Sequence, residues 1–407
     1  MNRLATNFCG INFENPFVLA ASPCTDELEM VKNGFRAGWS GAVLKTTHVE
    51  SLVYEPVSPI ICGYDFEDKK VVGLGNIDVL SKYPVNVVEE RVKELKKEFP
   101  KKIVITSVAG TDRNTYHEVV KRLIVAGADA IECTTFCPQG HAGLKSGQGL
   151  SEDPLAVAQM TSWVKEAAGD IPVFIKFSGE VNQIVNSRAV KVAGGDAVNI
   201  SSVYKAILGI DLDTYIPYPS VDGKSTYAGF MGAATKPQCL QHVSEVAKEV
   251  DIPIIAGGGT TFWQDCIEAV LVGAGLIQIC SAVMRNGFRI VEDLIDGCDT
   301  YLEEKGISNL SELIGKSLPS IVGQDELNKG NRLVSSIKRD LCVKDDLCYI
   351  SCRDGGHMAM ELGDDRIPIV DEEKCAGCGL CRIVCPVWDC VTLKPKEIKS
   401  GNYIHSC

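Results

Sequence analysis

The chain has 407 residues, a net charge of -12, 45% hydrophobic residues and 23% charged residues. That length allows one large domain and a small one around a sizeable core, and the composition excludes a disordered or fibrous chain. The acidic balance excludes nucleic acid as an expected partner, because phosphate binding needs clustered Lys and Arg. The absence of an uncharged apolar run of about 18 residues excludes a membrane span.

The opening Met-Asn-Arg-Leu-Ala-Thr lacks the basic and apolar regions of a secretory signal, so a cytoplasmic location is expected. Eighteen cysteines in so long a chain read as reduced thiols rather than a disulfide scaffold.

Residues 8–16 predict a short hairpin that plugs or caps the domain built by the strands after it. Then come apolar runs over Phe17–Ser22, Gly41–Thr46, Ile103–Ala109, Ala130–Thr135, Pro172–Ser178, Ala197–Ser202, Pro253–Gly259 and Leu276–Ala282. They are continuous rather than alternating, as in strands buried on both faces. Helical segments such as Glu27–Ala37, Thr115–Ala126, Pro154–Ala168 and Gln264–Val272 separate many of them. Ala37-Gly38, Ala126-Gly127 and Gly194-Gly195 supply helix-terminating glycines before the next strand. This alternation predicts an α/β fold, a (β/α)8 TIM barrel over residues 1–305. The alternative, an open doubly wound sheet, is disfavoured because no G-x-G-x-x-G follows the first strand.

In a barrel the chemistry belongs at the C-terminal strand ends. Lys45-Thr46, the stretch from Thr134 to Pro138, Lys176, Ser201-Ser202, Gly257-Gly258-Gly259 and Cys280-Ser281 all fall there. Glycine turns after strands seven and eight are the usual barrel phosphate site. Gly258, Gly259 and the amides after Cys280, with the loop Gly229-Phe-Met-Gly232 before them, point to a phosphorylated cofactor.

Residues 306–340 predict a helical extension and linker, and residues 341–407 a small α+β domain. That domain contains Cys375-Ala-Gly-Cys378-Gly-Leu-Cys381-Arg-Ile-Val-Cys385-Pro386. C-x2-C-x2-C-x3-C-P is the bacterial ferredoxin spacing, in which three thiolates reach one iron–sulfur cube and the fourth serves a second cube. A zinc knuckle needs only paired C-x2-C and explains the run less well. An offset of 33 residues overlays it on Cys342, Asp345, Cys348 and Cys352. The domain thus reads as a two-cluster ferredoxin. By the crossover rule Cys375, Cys378, Cys381 and Cys352 hold one 4Fe-4S cube, and Cys342, Cys348 and Cys385 with Asp345 hold the other. Either Asp345 ligates iron or that cluster is 3Fe-4S, since carboxylate is a harder ligand than thiolate.

The chain also resembles a known family. Asn15-Pro-Phe-x-Leu-Ala20, Ala37-Gly-Trp39, Leu44-Lys-Thr46, Cys137-Pro138, Lys176, Thr226-Tyr-x-Gly229, Gln278-Ile-Cys-Ser-Ala282 and Cys348-Tyr-Ile-Ser-Cys-x-Asp-Gly-Gly-His357 carry the likeness. They resemble the catalytic subunit of bacterial NAD-dependent dihydropyrimidine dehydrogenase and the matching C-terminal half of the long eukaryotic enzyme. The resemblance implies FMN at the barrel mouth, with Ala21, Ser22, Lys45, Thr46 and Gly229 along it. It also implies that Lys176 lies by the flavin N1–O2 edge and that Gly258, Gly259, Cys280 and Ser281 hold the phosphate. Cys137 matches the catalytic cysteine, which exchanges a proton at one carbon while the flavin exchanges hydride with its neighbour. A thiol near its ordinary pKa can do this at neutral pH, and the Gly-rich loop 139–151 reads as a lid over it.

Substrate positions depart from the family pattern. Thr134-Thr135-Phe136 stands where the pyrimidine enzymes have Asn-x-Ser, and Ser201-Ser202-Val203 where they have Thr-Asn-Thr. Asn76 lines up with a substrate Asn. Hydroxyls pair less of the alternating donor–acceptor edge of uracil than carboxamides do, and each orphaned polar group costs roughly 1–3 kcal/mol. A less amide-rich ring, or a conjugated enone or lactam, is therefore as good a candidate as uracil or thymine. The expected activity is reduction or oxidation of a C–C bond conjugated to a carbonyl in a small ring substrate. With no NAD-binding fingerprint in the chain, electrons are expected from a FAD/NAD(P)H-binding partner subunit or a ferredoxin, in a homo- or hetero-oligomer. The alternatives are a dihydroorotate-type dehydrogenase and a non-catalytic electron-transfer subunit.

Overall fold

The computed structural model describes residues 2–52, 54–66, 70–135, 150–330 and 332–396. They form two compact units, residues 1–320 and 321–407. No described helix is long and apolar enough to cross a membrane.

The first unit opens with an antiparallel hairpin, Thr6–Phe8 against Ile11–Phe13. Its two-residue turn uses left-handed Cys9 (φ 49°) and Gly10 (φ 81°), the backbone that matches the twist of a tight hairpin.

The next strands are β1 (Phe17–Leu19), β2 (Gly41–Thr47), β3 (Ile103–Val108), β4 (Ala130–Thr134), β5 (Val173–Phe177), β6 (Ala197–Ile200), β7 (Ile254–Ala256) and β8 (Leu276–Ile279). They pair in parallel and in order into a closed barrel, with β8 beside β1, so the expected (β/α)8 architecture is the observed one. The helices are α1 (Leu28–Ala37), α2 (Val85–Glu98), α3 (Arg113–Ala126), α4 (Pro154–Ala168), α5 (Gln183–Val192), α6 (Lys236–Glu249), α7 (Trp263–Leu271), α8 (Ser281–Asn286) and α9 (Ile290–Glu304). Gly38 and Gly127 end α1 and α3 in the left-handed region, where a side chain would be strained.

Strand alternation sorts the barrel into layers. Val18, Val43, Ile105, Ala130, Phe174, Ala197, Ile255 and Leu276 form an inner apolar layer, closed at the N-terminal end by Phe8 and Phe13 of the hairpin. Phe8 lies edge-on to Phe174 at 5.7 Å between centroids. The expected plug is therefore present, and burying such a phenyl group stabilises by roughly 1.5–3 kcal/mol. Their neighbours, including Phe17, Ala42, Val104, Ile131, Ile175 and Ile277, join the cluster that includes the helices. Two residues further along six strands the inward positions turn polar: Lys45, Ser107, Glu132, Lys176, Asn199 and Gln278. A polar layer inside a barrel has to be held by its own hydrogen bonds, and it faces the mouth.

A four-stranded antiparallel sheet also belongs to this unit, in the order Tyr204–Ala206, Ala228–Met231, Lys70–Asn76, Ile61–Phe66. Its strands come from two long βα loops whose glycines mask any strand signal. Gly73 is one example: a Cβ there would stand 2.3 Å from the Phe230 ring.

The stretch 306–340, expected as a single helical extension and linker, is divided. It contains short 3-10 turns at Leu310–Leu313, Leu318–Ser320 and Gln324–Glu326. Strand Leu333–Ile337 then pairs antiparallel with Val391–Pro395 inside the second unit. The unit boundary thus falls at residue 320, not 340, because Leu333–Ile337 finds its ladder partner only at the far end of the chain.

The second unit also holds the hairpin Met360–Leu362 with Pro368–Val370 and the helices α10 (Leu347–Gly355) and α11 (Leu380–Val384). The 33-residue repeat is visible in its backbone. Lys344 (φ 60°) and Asp346 (φ 61°) adopt the left-handed turn taken by Gly377 (φ 67°) and Gly379 (φ 82°) in the second half.

Candidate functional site

A cavity of about 900 Å³ opens at the C-terminal mouth of the barrel, large enough for a flavin-sized ligand. Ala21 and Ser22 after β1, Lys45 and Thr46 on β2, and Thr134 on β4 line it. So do Lys176 on β5, Ser201 and Ser202 after β6, Gly258 and Gly259 after β7, and Cys280 and Ser281 after β8. Asn76 and Gly229, Cα partners in the mixed-origin sheet, supply another wall. Phe136 and Cys137 lie outside the described residues; the chain is described up to Thr135, whose N–H and hydroxyl both donate to the Lys176 carbonyl, at 3.1 and 2.9 Å.

The two lysines are not free positive charges. Lys176 Nζ donates to Gln278 Oε1 at 3.3 Å and lies 3.7 Å from Glu132 Oε1. Glu132 is fully buried, and its Oε2 accepts from Gln278 Nε2 (2.6 Å) and Asn199 Nδ2 (3.0 Å). Four strands thus hold Lys176 in one place. Lys45 pairs with the buried Asp78 carboxylate and lies 3.8 Å from Asp26. Asp78 in turn accepts from Tyr54 Oη at 2.9 Å. Neither Glu132 nor Asp78 was legible as a site residue: a Glu inside a strand and an Asp in a loop have no motif around them.

The turn after β7 has no room for side chains. A Cβ at Gly258 would meet Ser202 at 2.6 Å, and at left-handed Gly259 (φ 76°) it would meet the Lys236 main chain at 2.5 Å. Their backbone is bare toward the cavity, which suits a group bound by amides. Beside them half-buried Cys280 sits among sulfurs, with Met284 Sδ at 3.7 Å and Met231 Sδ at 3.9 Å. Burial pushes its thiol above the ordinary value, while Lys176 and Ser22 draw it back.

Hydroxyls dominate the rest of the wall: Thr134, Ser201 and Ser202 are all buried. Asn76 Oδ1 accepts the Asp78 amide at 2.9 Å, which fixes that carboxamide.

In the second unit the cysteines gather in two groups. Cys352, Cys375, Cys378 and Cys381 line one small cavity together with His357. Protein donors already point at three of these sulfurs. Ala359 N–H reaches Cys352 Sγ (3.3 Å) and Ser335 N–H reaches Cys375 Sγ (3.4 Å), while the Ser335 hydroxyl is 3.2 Å from Cys381 Sγ. Such contacts are the means by which a protein tunes cluster sulfurs. The other group is Cys342, Cys348 and Cys385, with Cys390 among their electrostatic neighbours. Burial and then Asp345, Cys381 and Cys385 push Cys348 up to about 11. Burial, the adjacent Cys385 and then Cys342 and Cys348 push Cys390 up to about 12. Among the described residues no three His, Cys, Asp or Glu side chains close on a single-ion position. A cube takes its thiolates at separate corners and spaces them more widely than one ion does.

The family comparisons divide the chain similarly. Residues 3–302 match the dihydroorotate dehydrogenase family model, and residues 335–393 match the 4Fe-4S dicluster domain. The chain is 34% identical to the NAD-dependent dihydropyrimidine dehydrogenase subunit PreA of Escherichia coli (strain K12), over 99% of this chain and 98% of that one. It is 26% identical to the chloroplastic dihydropyrimidine dehydrogenase (NADP(+)) of Arabidopsis thaliana, over 80% and 79% of the two chains. Against the catalytic subunit of dihydroorotate dehydrogenase B (NAD(+)) from Pyrococcus abyssi it is 32% identical, over 77% of this chain and 99% of that one. The chain therefore belongs to the dihydroorotate dehydrogenase family of oxidoreductases, with a 4Fe-4S dicluster domain following its barrel.

Proposed function

We propose that this protein interconverts a small ring compound bearing a C=C bond conjugated to a carbonyl and its dihydro form, using FMN in the barrel and electrons carried by two iron–sulfur clusters. The observation that carries this reading is the mouth cavity, where a glycine turn, two carboxylate-anchored lysines and a wall of hydroxyls converge from every barrel strand but β3 and from the adjoining sheet. Bound FMN supplies the hydride chemistry. The amides around Gly258, Gly259, Cys280 and Ser281 hold its phosphate, and Ala21, Ser22, Thr46 and Gly229 line the rest of it. Lys176, fixed by Glu132 and Gln278, places one N–H donor where negative charge develops on the ring. Lys45 is steadied by Asp78 in the same way.

Cys137 transfers the proton. Cys352, Cys375, Cys378 and Cys381 hold one cluster, and Cys342, Cys348 and Cys385 hold the other. A partner flavoprotein that oxidises NAD(P)H, or a free ferredoxin, exchanges electrons with these clusters. The word "subunit" in the names of two relatives supports such a partner.

Asn76 bears on the substrate. Its Oδ1 is taken by the Asp78 amide, so the NH2 remains for the ligand. Together with the Thr134, Ser201 and Ser202 hydroxyls it favours a ring that presents carbonyl acceptors, such as an enone or lactam, over one with alternating N–H and C=O groups. The decisive experiment is anaerobic reduction of the bound flavin followed by reoxidation with a panel of ring compounds. Rapid reoxidation by a conjugated lactam or enone, slowed about 100-fold or more in Cys137→Ala, is the expected result. A protein that binds no FMN overturns the enzyme reading, and a Cys137→Ala variant with unchanged rates overturns the role of Cys137.

A further inference from the structure

The sequence repeat leaves the second cluster with three thiols, Cys342, Cys348 and Cys385, and an aspartate, Asp345, at the fourth place. We propose that Cys390 is the fourth ligand of this cluster and that Asp345 is a turn-forming residue. The proposal rests on the two-cluster reading of the second unit.

Cys390 is only 2% exposed, though it stands between exposed Asp389 and the strand Val391–Pro395. Left-handed Asp389 (φ 62°) turns the chain back after Cys385-Pro386, and the Cys390 amide donates to the Val387 carbonyl at 3.3 Å. Lys338 N–H donates to the Cys390 carbonyl at 2.8 Å, which clamps this residue next to the segment that leads into Cys342. Its thiol donates to the Lys338 carbonyl at 3.7 Å, and the thiols of Cys385, Cys342 and Cys348 are close enough to act on it electrostatically.

The internal repeat supports the same placement. The 33-residue offset carries Cys385 onto Cys352 and Cys390 onto His357. His357 lines the cavity formed by Cys352, Cys375, Cys378 and Cys381. The fold therefore brings the fifth residue after each crossover cysteine to a cluster, and in this half that residue is a thiol.

Asp345 has other work: its Oδ1 accepts the Leu347 amide at 3.1 Å at the first turn of α10. Between a carboxylate engaged in a turn and a buried thiol, cluster iron takes the softer ligand. On binding, the Cys390 thiol loses its proton to solvent and its sulfur lone pair bonds the fourth iron. No electron is transferred and no oxidant is needed. The result is a cube with four thiolates rather than a carboxylate-ligated or three-iron cluster.

The test uses the full chain, purified anaerobically and reconstituted with ferrous iron and sulfide. Iron and labile sulfide are counted, and electron paramagnetic resonance spectra are recorded for wild type, Cys390→Ser, Asp345→Ala and the double variant Cys390→Ser/Asp345→Cys. The expected result is about eight irons per chain in wild type and Asp345→Ala. Cys390→Ser loses about one iron and gains the signal of an oxidised three-iron cluster, and the added cysteine at position 345 restores the four-iron form. Cys390→Ser with full iron and an unchanged spectrum overturns the proposal. If Cys390→Ser fails to fold, Asp345→Ala decides: full iron supports Cys390, and lost iron overturns it. Wild type that takes up no iron at all defeats the cluster reading itself, a different result.

Discussion

Glu132 and Lys176, on adjacent strands β4 and β5, face each other at 3.7 Å beneath the mouth cavity, both nearly closed to solvent. Glu132 accepts from two amide donors through one oxygen and faces the Lys176 ammonium at ion-pair distance with the other, so removing one member of the pair strands the charge of the other. Lys176→Met is expected to destabilise the folded chain by about 3–5 kcal/mol. The double variant Lys176→Met/Glu132→Gln should recover much of that loss, since no buried charge is then left alone. Urea unfolding of the two single variants and the double gives the coupling directly, and strict additivity would show that the pair is not coupled.

Gly259 makes a second prediction. Its left-handed backbone and the Lys236 main chain 2.5 Å from a would-be Cβ leave no space for alanine. Gly259→Ala should cost on the order of 1–3 kcal/mol and displace the turn proposed to hold the flavin phosphate. Flavin absorbance per purified chain is the readout; full flavin content in Gly259→Ala would remove this turn from the binding site.

At the opposite end of the barrel, Phe8 fills the floor against Phe174. Phe8→Ala should lower stability by about 3–5 kcal/mol through the cavity it leaves, with little change in the spectrum of bound flavin. A shifted flavin spectrum would mean that the floor and the mouth are mechanically linked.

The buried thiols set a pH dependence. Burial and then Cys280 push Cys24 up to about 11, and burial raises Cys133 as well. In an acid whose folded-state pKa is raised, the neutral thiol is favoured. The associated stability is complete below the unfolded thiol value of about 8.5 and is lost as the pH climbs toward 11. Chemical unfolding should therefore become easier from pH 9 upward. Mass spectrometry after iodoacetamide treatment at pH 7.5 should find Cys24 and Cys133 unmodified in the folded chain. Rapid labelling of either at that pH would contradict their burial.

Much of this molecule is legible in local sequence. Phe17–Leu19 through Leu276–Ile279 show themselves as strands because burial on both faces demands unbroken apolar runs, and glycine marks where helices α1 and α3 stop. The cysteine spacing shows the ferredoxin repeat because a cube fixes how far apart its ligands lie along the chain. Most predicted site residues reach the same cavity for an equally local reason: they sit at strand ends, and barrel closure brings strand ends together.

The tertiary structure decided what depends on distance along the chain. It gave Lys45 its partner Asp78, 33 residues on, and Lys176 a hydrogen bond to Gln278, 102 residues on. It built a sheet from two loops that had no strand signal, and it moved Leu333–Ile337 out of an expected linker into a ladder with Val391–Pro395. It also buried Cys390 and set its thiol against the Lys338 carbonyl, 52 residues away. Pairings of this kind leave no periodic trace in sequence, because each is fixed by the fold's closure and by the need to satisfy buried polar and sulfur groups. The sequence alone determined the barrel, the dicluster repeat and the residues at the mouth; the tertiary structure decided how their charges are paired and that Cys390, which no spacing marks, is buried in the second unit.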